Sequence, residues 1–282
     1  MQIIDGKKTA SEIRLALKEK VSSAVMKYKK PIGLAVILVG DDAPSKIYTA
    51  NKAKACNEIG IQSFLYRLED GIPQEEILAL IDRLNRDDAV NGILVQLPLP
   101  KRYDESNILK SIDVNKDVDG YSAYQIGRLN LGKPELVSCT PLGVLTLLDT
   151  YQIPIEGKEA VVVGRSNVVG KPVAQLLLSR NATVTICHSR TQNLAEHTRR
   201  ADILIVAAGR AKMITGDMVK RGVVVIDVGI NRDEHGLCGD VDFDSVAPKA
   251  SYITPVPGGV GPMTIAMLMT NTLKAYELQN GR

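Results

Sequence analysis

Six short runs of aliphatic residues punctuate the chain: GLAVILVG (33–40), GILVQL (92–97), AVVVG (160–164), TVTIC (183–187), ILIVAA (203–208) and VVVIDV (223–228). Such runs leave no polar face for water, which predicts strands of parallel sheets covered on both sides. Longer segments with helical spacing lie between them, at 10–27, 45–59, 74–85, 171–178 and 193–200. Strand and helix therefore alternate, and the expected fold is α/β with parallel sheets. With 282 residues at roughly 150 per domain, two modest lobes are expected. The irregular stretch GRLNLGKPELVSCT separates one strand series from the next, placing a boundary between about 120 and 140. A last helical segment, 263–278, is long enough to cross back onto the first lobe.

Composition excludes several classes. Lys plus Arg (35) against Asp plus Glu (32) leaves a net charge of +3, without the basic excess of a dedicated nucleic-acid binder. Cys56, Cys139, Cys187 and Cys238 form no CxxC pair, so buried free thiols are expected rather than a metal site or a disulfide framework. No apolar run approaches the ~20 residues of a membrane span, and the N-terminus has no apolar signal core. A cytoplasmic protein with no membrane partner is the expectation. With no Trp and two Phe, the core must be aliphatic, and any Tyr in an odd place needs a reason.

In the second lobe, AVVVGRSNVVGKPVAQLLL reads as strand, tight turn and helix, with Gly164, Ser166 and Gly170 spaced as GxSxxxG. The spacing departs from GxGxxG, but the physics of a dinucleotide site is present: a glycine turn, outward N–H groups and a helix N-terminus open to phosphate. An ordinary strand-to-helix turn would use the same residues. The next strand ends in His188, Ser189 and Arg190, where NAD-preferring sites place a carboxylate. Arg190, Ser189 and Arg165 would suit a 2′-phosphate, favouring NADP, although a solvated loop has the same composition. DVGIN (227–231) closes another strand and offers Gly229 and Ile230 to the nicotinamide half.

In the first lobe, DDAPSKIYTANKAKACNEIG reads as a helix capped by Asp or Ser, with Pro44 in its first turn and Gly60 at its end. Tyr48 and Lys52 are i and i+4, hence neighbours on one face. A lysine on a helix is usually only a solvated charge. Gln96, however, interrupts an apolar strand near its C-terminal end, where open α/β sheets place ligands, and a buried amide needs partners. KDVDGY presents Asp117 and Asp119 before a glycine, either as Asx-turn formers or as ligand-facing carboxylates. PVPGGVGPMT combines three prolines with three glycines, a stiff loop that opens the last helix at about Pro262, or else a plain connecting turn.

Taken together, YTANK (48–52), GILVQLPLP (92–100), KDVDGY (116–121), VVGRSNVVGKP (162–172), VIDVGIN (225–231), GDVDF (239–243) and ITPVPGGVGPMT (253–264) resemble one family over nearly the whole chain. It is the bifunctional methylenetetrahydrofolate dehydrogenase/methenyltetrahydrofolate cyclohydrolase family. The resemblance implies a folate-binding catalytic domain over 1–137, completed by a C-terminal helix over 262–282, and a Rossmann-type NADP domain over 138–261. It further implies an active-site cleft between the lobes, tetrahydrofolate derivatives as substrates and a homodimer. Lys52 resembles the catalytic lysine, Tyr48 the ring that packs on folate, Gln96 the lysine's polar neighbour, and Asp119 the carboxylate that holds the pterin. Val95, Leu97, Pro257, Gly258, Gly259, Gly261, Pro262, Thr264 and Ile265 match substrate-contact segments. Gly164, Arg165, Ser166, Ser189 and Ile230 match cofactor contacts, to which the charge argument adds Arg190.

The implied chemistry has two parts. Loss of hydride from a carbon between two nitrogens gives a delocalised cation and needs no general base, whereas hydrolysis of that cation needs protons moved. His188, His197 and His235 fall in or near the cofactor lobe, which leaves Lys52 for the proton work. Two rivals remain. An NADP-dependent dehydrogenase of another small metabolite, on the plan of shikimate-type enzymes, is opposed by YTANK. A non-catalytic NADP-binding sensor is opposed by the presence of Tyr48, Lys52, Gln96 and Asp119 together.

Overall fold

The computed structural model describes residues 1–234 and 236–281, so His235 and Arg282 lie outside the described residues. In chain order the elements begin β1 (Gln2–Ile3), α1 (Gly6–Tyr28), β2 (Gly33–Val39), α2 (Ala43–Ile59), β3 (Gln62–Leu68), α3 (Gln74–Arg86), β4 (Gly92–Val95), α4 (Glu105–Lys110), α5 (Ala123–Asn130) and α6 (Cys139–Thr150). They continue β5 (Glu159–Val163), α7 (Gly170–Ser179), β6 (Thr183–Cys187), α8 (Leu194–Thr198), β7 (Ile203–Val206), β8 (Val224–Asp227), β9 (Asn231–Asp233), β10 (Gly236–Cys238), α9 (Phe243–Val246), β11 (Tyr252–Ile253) and α10 (Val260–Asn280). All six aliphatic runs supply strands, as the alternation predicts.

The chain divides into two units, Met1–Ser11 with Thr140–Thr264, and Glu12–Cys139 with Ile265–Arg282. The first eleven residues, expected with the folate-binding lobe, instead belong to the other unit. The reason is local: β1 pairs in parallel with β11, and Ile4 N donates to Ile253 O at 2.9 Å.

The Thr140–Thr264 unit carries a six-stranded sheet in the order β1-β11-β8-β7-β5-β6, with every neighbouring pair parallel. From β5 the chain steps to β6 on one side and to β7 on the other, so the winding reverses between β5 and β7. Ligands of open α/β sheets sit at such a reversal, beyond the carboxyl ends of the strands. The register sets Val163 opposite Cys187 and Val206, and Val206 opposite Asp227. Residues 164, 188, 207 and 228 therefore leave the sheet along one edge. Val161, Val163, Leu204, Val206, Val225 and Ile253 form the core on one face.

The Glu12–Cys139 unit has a three-stranded parallel sheet, β3-β2-β4, again reversing at its first strand. Helix α3 shows why these residues make a helix that docks: Ile77, Leu80, Ile81 and Leu84 recur at helical spacing and are buried. Glu75 and Glu76 sit in its first turn and Arg83 and Arg86 in its last, matching the helix dipole. Burial of each such side chain is worth about 1.5–3 kcal/mol. The later part of α10 completes this unit. Tyr276 is fully buried, donates to Lys30 O at 2.8 Å and meets the Tyr28 ring edge-on.

Candidate active site

Helix α2 starts as its sequence predicts. Asp42 accepts from the Ser45 N–H at 2.9 Å, Pro44 lies in the first turn, and Gly60 ends the helix in the left-handed region at φ 87°. This fixes Tyr48 and Lys52 one turn apart on a helix that follows β2. Lys52 is not a solvated charge: only 8% of it is exposed, and its Nζ donates to Gln96 Oε1 at 2.9 Å. Tyr48 is half-buried.

Gln96 follows the last residue of β4, at the carboxyl edge beside β2. Its backbone N–H donates to Ile37 O, and its side-chain Nε2 donates to Leu97 O at 2.7 Å. With one end of the amide tied to backbone, the other can only offer its oxygen, and Lys52 takes it. Leu97 is half-buried, whereas the Val95 side chain belongs to the apolar core of the unit, so Val95 reaches the site edge through its backbone.

The two aspartates of KDVDGY divide the work. Asp117 forms the turn, accepting from the N–H groups of Gly120, Tyr121 and Ser122 at 3.0, 3.3 and 2.7 Å. Gly120 has φ 69°, and a Cβ there would run into the backbone at Val137 and Ser138. Asp119 is left free of that turn. Burial pushes its carboxyl up to about 6, while the Lys52 charge draws it down and Asp117 pushes it further up. Burial likewise lowers the Lys52 ammonium, with Asp119 acting in the opposite sense. Asn271 on α10, absent from the sequence-derived set, donates to Val118 O at 2.9 Å and Val137 O at 2.8 Å, so it grips the backbone on both sides of this turn. The KDVDGY motif gave no sign of it, because its acceptors are backbone carbonyls.

In the other unit, the predicted cofactor residues lie along the carboxyl edge of the sheet. Gly164 has φ 136°, and a Cβ there would strike the Ala207 carbonyl; one at Gly170 would strike Gly164. Gly164 thus lets this turn approach the end of the neighbouring strand β7, and Gly170 lets α7 start close against the turn. Ser166 Oγ accepts from Val169 N and Gly170 N at 3.1 and 3.3 Å, which leaves its hydroxyl proton to donate outward. Arg165, Ser166, Ser189 and Arg190 are all exposed. Among the described residues, neither arginine is held by a carboxylate, and the end of β6 carries none. A phosphate group fits that edge better than a bare ribose hydroxyl would. Ile230, just past β8, is 50% exposed.

The PVPGGVGPMT loop is folded mostly on itself. Gly259 packs against Thr254 and Pro255, Gly258 takes φ 105°, and Gly258 O accepts from Lys7 N at 2.9 Å. Pro257 is exposed, Gly261 and Pro262 are half-buried, and Thr264 shares a hydrogen bond with Thr140 at 2.9 Å. Helix α10 opens at Val260, with Pro262 in its first turn, two residues earlier than the loop motif suggests. Ile265 falls with the Glu12–Cys139 unit and is half-buried. His188 uses Nδ1 to accept from Arg190 N, and His197 lies on α8; His235 is outside the described residues.

A dinucleotide-type parallel sheet in one unit, and in the other a buried lysine steered by a glutamine near a carboxylate, define a two-unit α/β enzyme that works with a nucleotide cofactor. Two family models match the chain: the catalytic domain of tetrahydrofolate dehydrogenase/cyclohydrolase over residues 4–119 and its NAD(P)-binding domain over 138–280. The chain belongs to the tetrahydrofolate dehydrogenase/cyclohydrolase family. It is 57% identical to the bifunctional protein FolD of Desulfovibrio desulfuricans over 282 residues, covering 98% of this chain and 99% of the relative. The crystal structure of the bifunctional FolD methylenetetrahydrofolate dehydrogenase/cyclohydrolase from Campylobacter jejuni superposes with a TM-score of 0.97 at 53% identity, covering 99% of both chains. The Trypanosoma brucei enzyme, solved with NADP and an inhibitor, gives 0.95 at 38% identity, covering 98% of this chain and 97% of the other.

Proposed function

We infer that this chain oxidises 5,10-methylenetetrahydrofolate to 5,10-methenyltetrahydrofolate with NADP and hydrolyses that product to 10-formyltetrahydrofolate, both steps being reversible. The observation that carries the reading is the Lys52 ammonium, buried and held on Gln96 Oε1 at 2.9 Å beside the ends of a parallel sheet. NADP, when bound, accepts the hydride. The protein's part in that step is to hold the folate, since no proton is transferred. Tyr48 supplies a flat surface, and Asp119 accepts from the row of N–H donors on the pterin edge. Leu97, the backbone of Val95, and the segment of Pro257, Gly258, Gly259, Gly261, Pro262, Thr264 and Ile265 complete the substrate contacts.

Hydrolysis asks more of the side chains. Water adds to the methenyl carbon, and Lys52 takes and returns protons as the ring opens. Free lysine titrates at about 10.4, so burial that lowers Lys52 brings it toward working pH. Gln96 keeps Nζ aimed. On the cofactor side, Gly164, Arg165, Ser166 and Ile230 bind NADP, with Ser189 and Arg190 taking its 2′-phosphate. The Glu12–Cys139 unit with the later part of α10 carries the folate chemistry, and the Thr140–Thr264 unit carries NADP. A homodimer in the cytoplasm accords with this reading; no helix among the described residues is long and apolar enough to cross a membrane.

One purified sample tests both activities, by NADP reduction with methylene substrate and by loss of methenyl absorbance. Lys52→Met is expected to abolish hydrolysis while the protein folds and still binds NADP. Retained methenyl hydrolysis in that variant refutes the role given to Lys52.

A further inference from the structure

We propose that Asp240 is a positioning residue for cofactor binding, locking the segments that follow β7 and β8 into one arrangement. Asp240 is fully buried, yet no cation partners it among the described residues. Backbone and amide donors solvate it instead. Its Oδ2 accepts from Ala208 N at 2.6 Å and Gly209 N at 2.9 Å, and its Oδ1 accepts from Arg210 N at 2.9 Å and Asn231 Nδ2 at 2.8 Å. Three successive N–H groups beyond a strand end form a concave nest of the kind that binds anions. Here the chain fills the nest with its own carboxylate, so the segment after β7 is set before any ligand arrives. The nest is also closed to phosphate, which leaves the turn after β5 to receive it.

Asp240 is itself held by a second buried carboxylate. Asp227, the last residue of β8, accepts from Gly229 N at 2.9 Å, Asp240 N at 3.0 Å and Val241 N at 2.9 Å. The packing is tight enough that a Cβ at Gly229 would strike Asp240 and one at Gly239 would strike Asp227. Gly229 immediately precedes Ile230, whose exposed side chain is placed against the cofactor above. On the other side, Ala207 at the head of the nest packs on Gly164 in the turn after β5. Asp240 thus ties together segments that flank both the phosphate and the nicotinamide ends of the proposed site. Groups preset in this way bind more tightly because less freedom is lost on binding.

The inference rests on assigning this unit to NADP. Asp240→Asn keeps the shape but turns one acceptor into an amino group facing N–H donors. KM for NADP is expected to rise about tenfold or more, while methenyl hydrolysis, which consumes no NADP, stays within about twofold of wild type. Val246→Ala, in the core of the same unit, controls for lost stability: at a similar lowering of Tm, its KM for NADP should stay within about twofold of wild type. An unchanged KM in folded Asp240→Asn, or an equal rise in Val246→Ala, overturns the proposal. If Asp240→Asn does not fold, Asn231→Ala decides. Removing that half-buried donor should raise KM about threefold or more, and an unchanged KM overturns the proposal. Wild type that fails to reduce NADP with methylenetetrahydrofolate would instead refute the cofactor assignment itself.

Discussion

Replacing Gln96 by Leu should move the ionisation of Lys52 and leave a signature in the pH profile. In the native site Lys52 Nζ donates to Gln96 Oε1, a bond that favours the charged ammonium against the burial that disfavours it. A hydrogen bond to a charged group is worth about 1.5–3 kcal/mol net. Its loss should lower the Lys52 pKa further. With the neutral amine as the working base in hydrolysis, the rate rises with pH through this ionisation, and the limb should shift to lower pH, by about one pH unit for each 1.4 kcal/mol lost. The maximum rate should also fall, about tenfold, because Nζ is no longer aimed. Gln96→Glu should move the limb the opposite way, since a carboxylate partner favours the ammonium. The assay is methenyl hydrolysis across pH, with the dehydrogenase rate followed in parallel as a step that transfers no proton. A limb that stays in place in both variants, whatever happens to the rate, refutes the coupling of Gln96 to Lys52.

Asp119 titrates near 6 rather than at 3.8, so folate binding through its carboxylate should weaken about tenfold per unit as pH falls below that value. Because the folded pKa is raised, the stability this group contributes is fully present below about 3.8 and is lost as pH rises through about 6. Asp119→Asn should therefore raise Tm at neutral pH while abolishing folate binding; a lowered Tm contradicts the burial argument. Arg190→Ala should raise KM for NADP about tenfold or more with little effect on NAD, and steady-state rates with both cofactors check this. Gly120→Ala combines a left-handed backbone with a collision at Val137 and Ser138, and should cost about 2 kcal/mol or more by denaturant unfolding.

The sequence made the sheets legible because their central strands are aliphatic throughout. Strand β3 escaped because QSFLYRL lies at a sheet edge with most residues only partly buried, so it lacks the continuous apolar run. Strand β11 is two residues long, too short for any periodicity. Helix α5 runs into the glycine that opens the irregular stretch, and α6, which begins at the end of that stretch, carries Pro141 and Gly143 early in its length. In the site, Tyr48 and Lys52 are visible by spacing and Gln96 by its polar place in an apolar run, which the structure puts just past the end of β4. KDVDGY could not say which aspartate builds the turn. Asn271 lay in no motif, and Asp240, although it falls in GDVDF, gave no sign of its role, since the partners of both are chiefly main-chain groups that leave no pattern in side chains.

The pairing of β1 with β11 has a consequence for how the protein is made. Once β1 has left the ribosome it must wait about 250 residues for its partner at Tyr252–Ile253. The Glu12–Cys139 unit waits longer still, because Asn271 closes the backbone around Asp119 and Gln279 donates to Asn91 O and Asn115 O. Neither half can finish folding while most of the chain is still being synthesised, and such long-range closure slows folding. The unfinished nascent chain, with the apolar strands of both sheets already emerged, is the stage at which the protein most needs protection from aggregation.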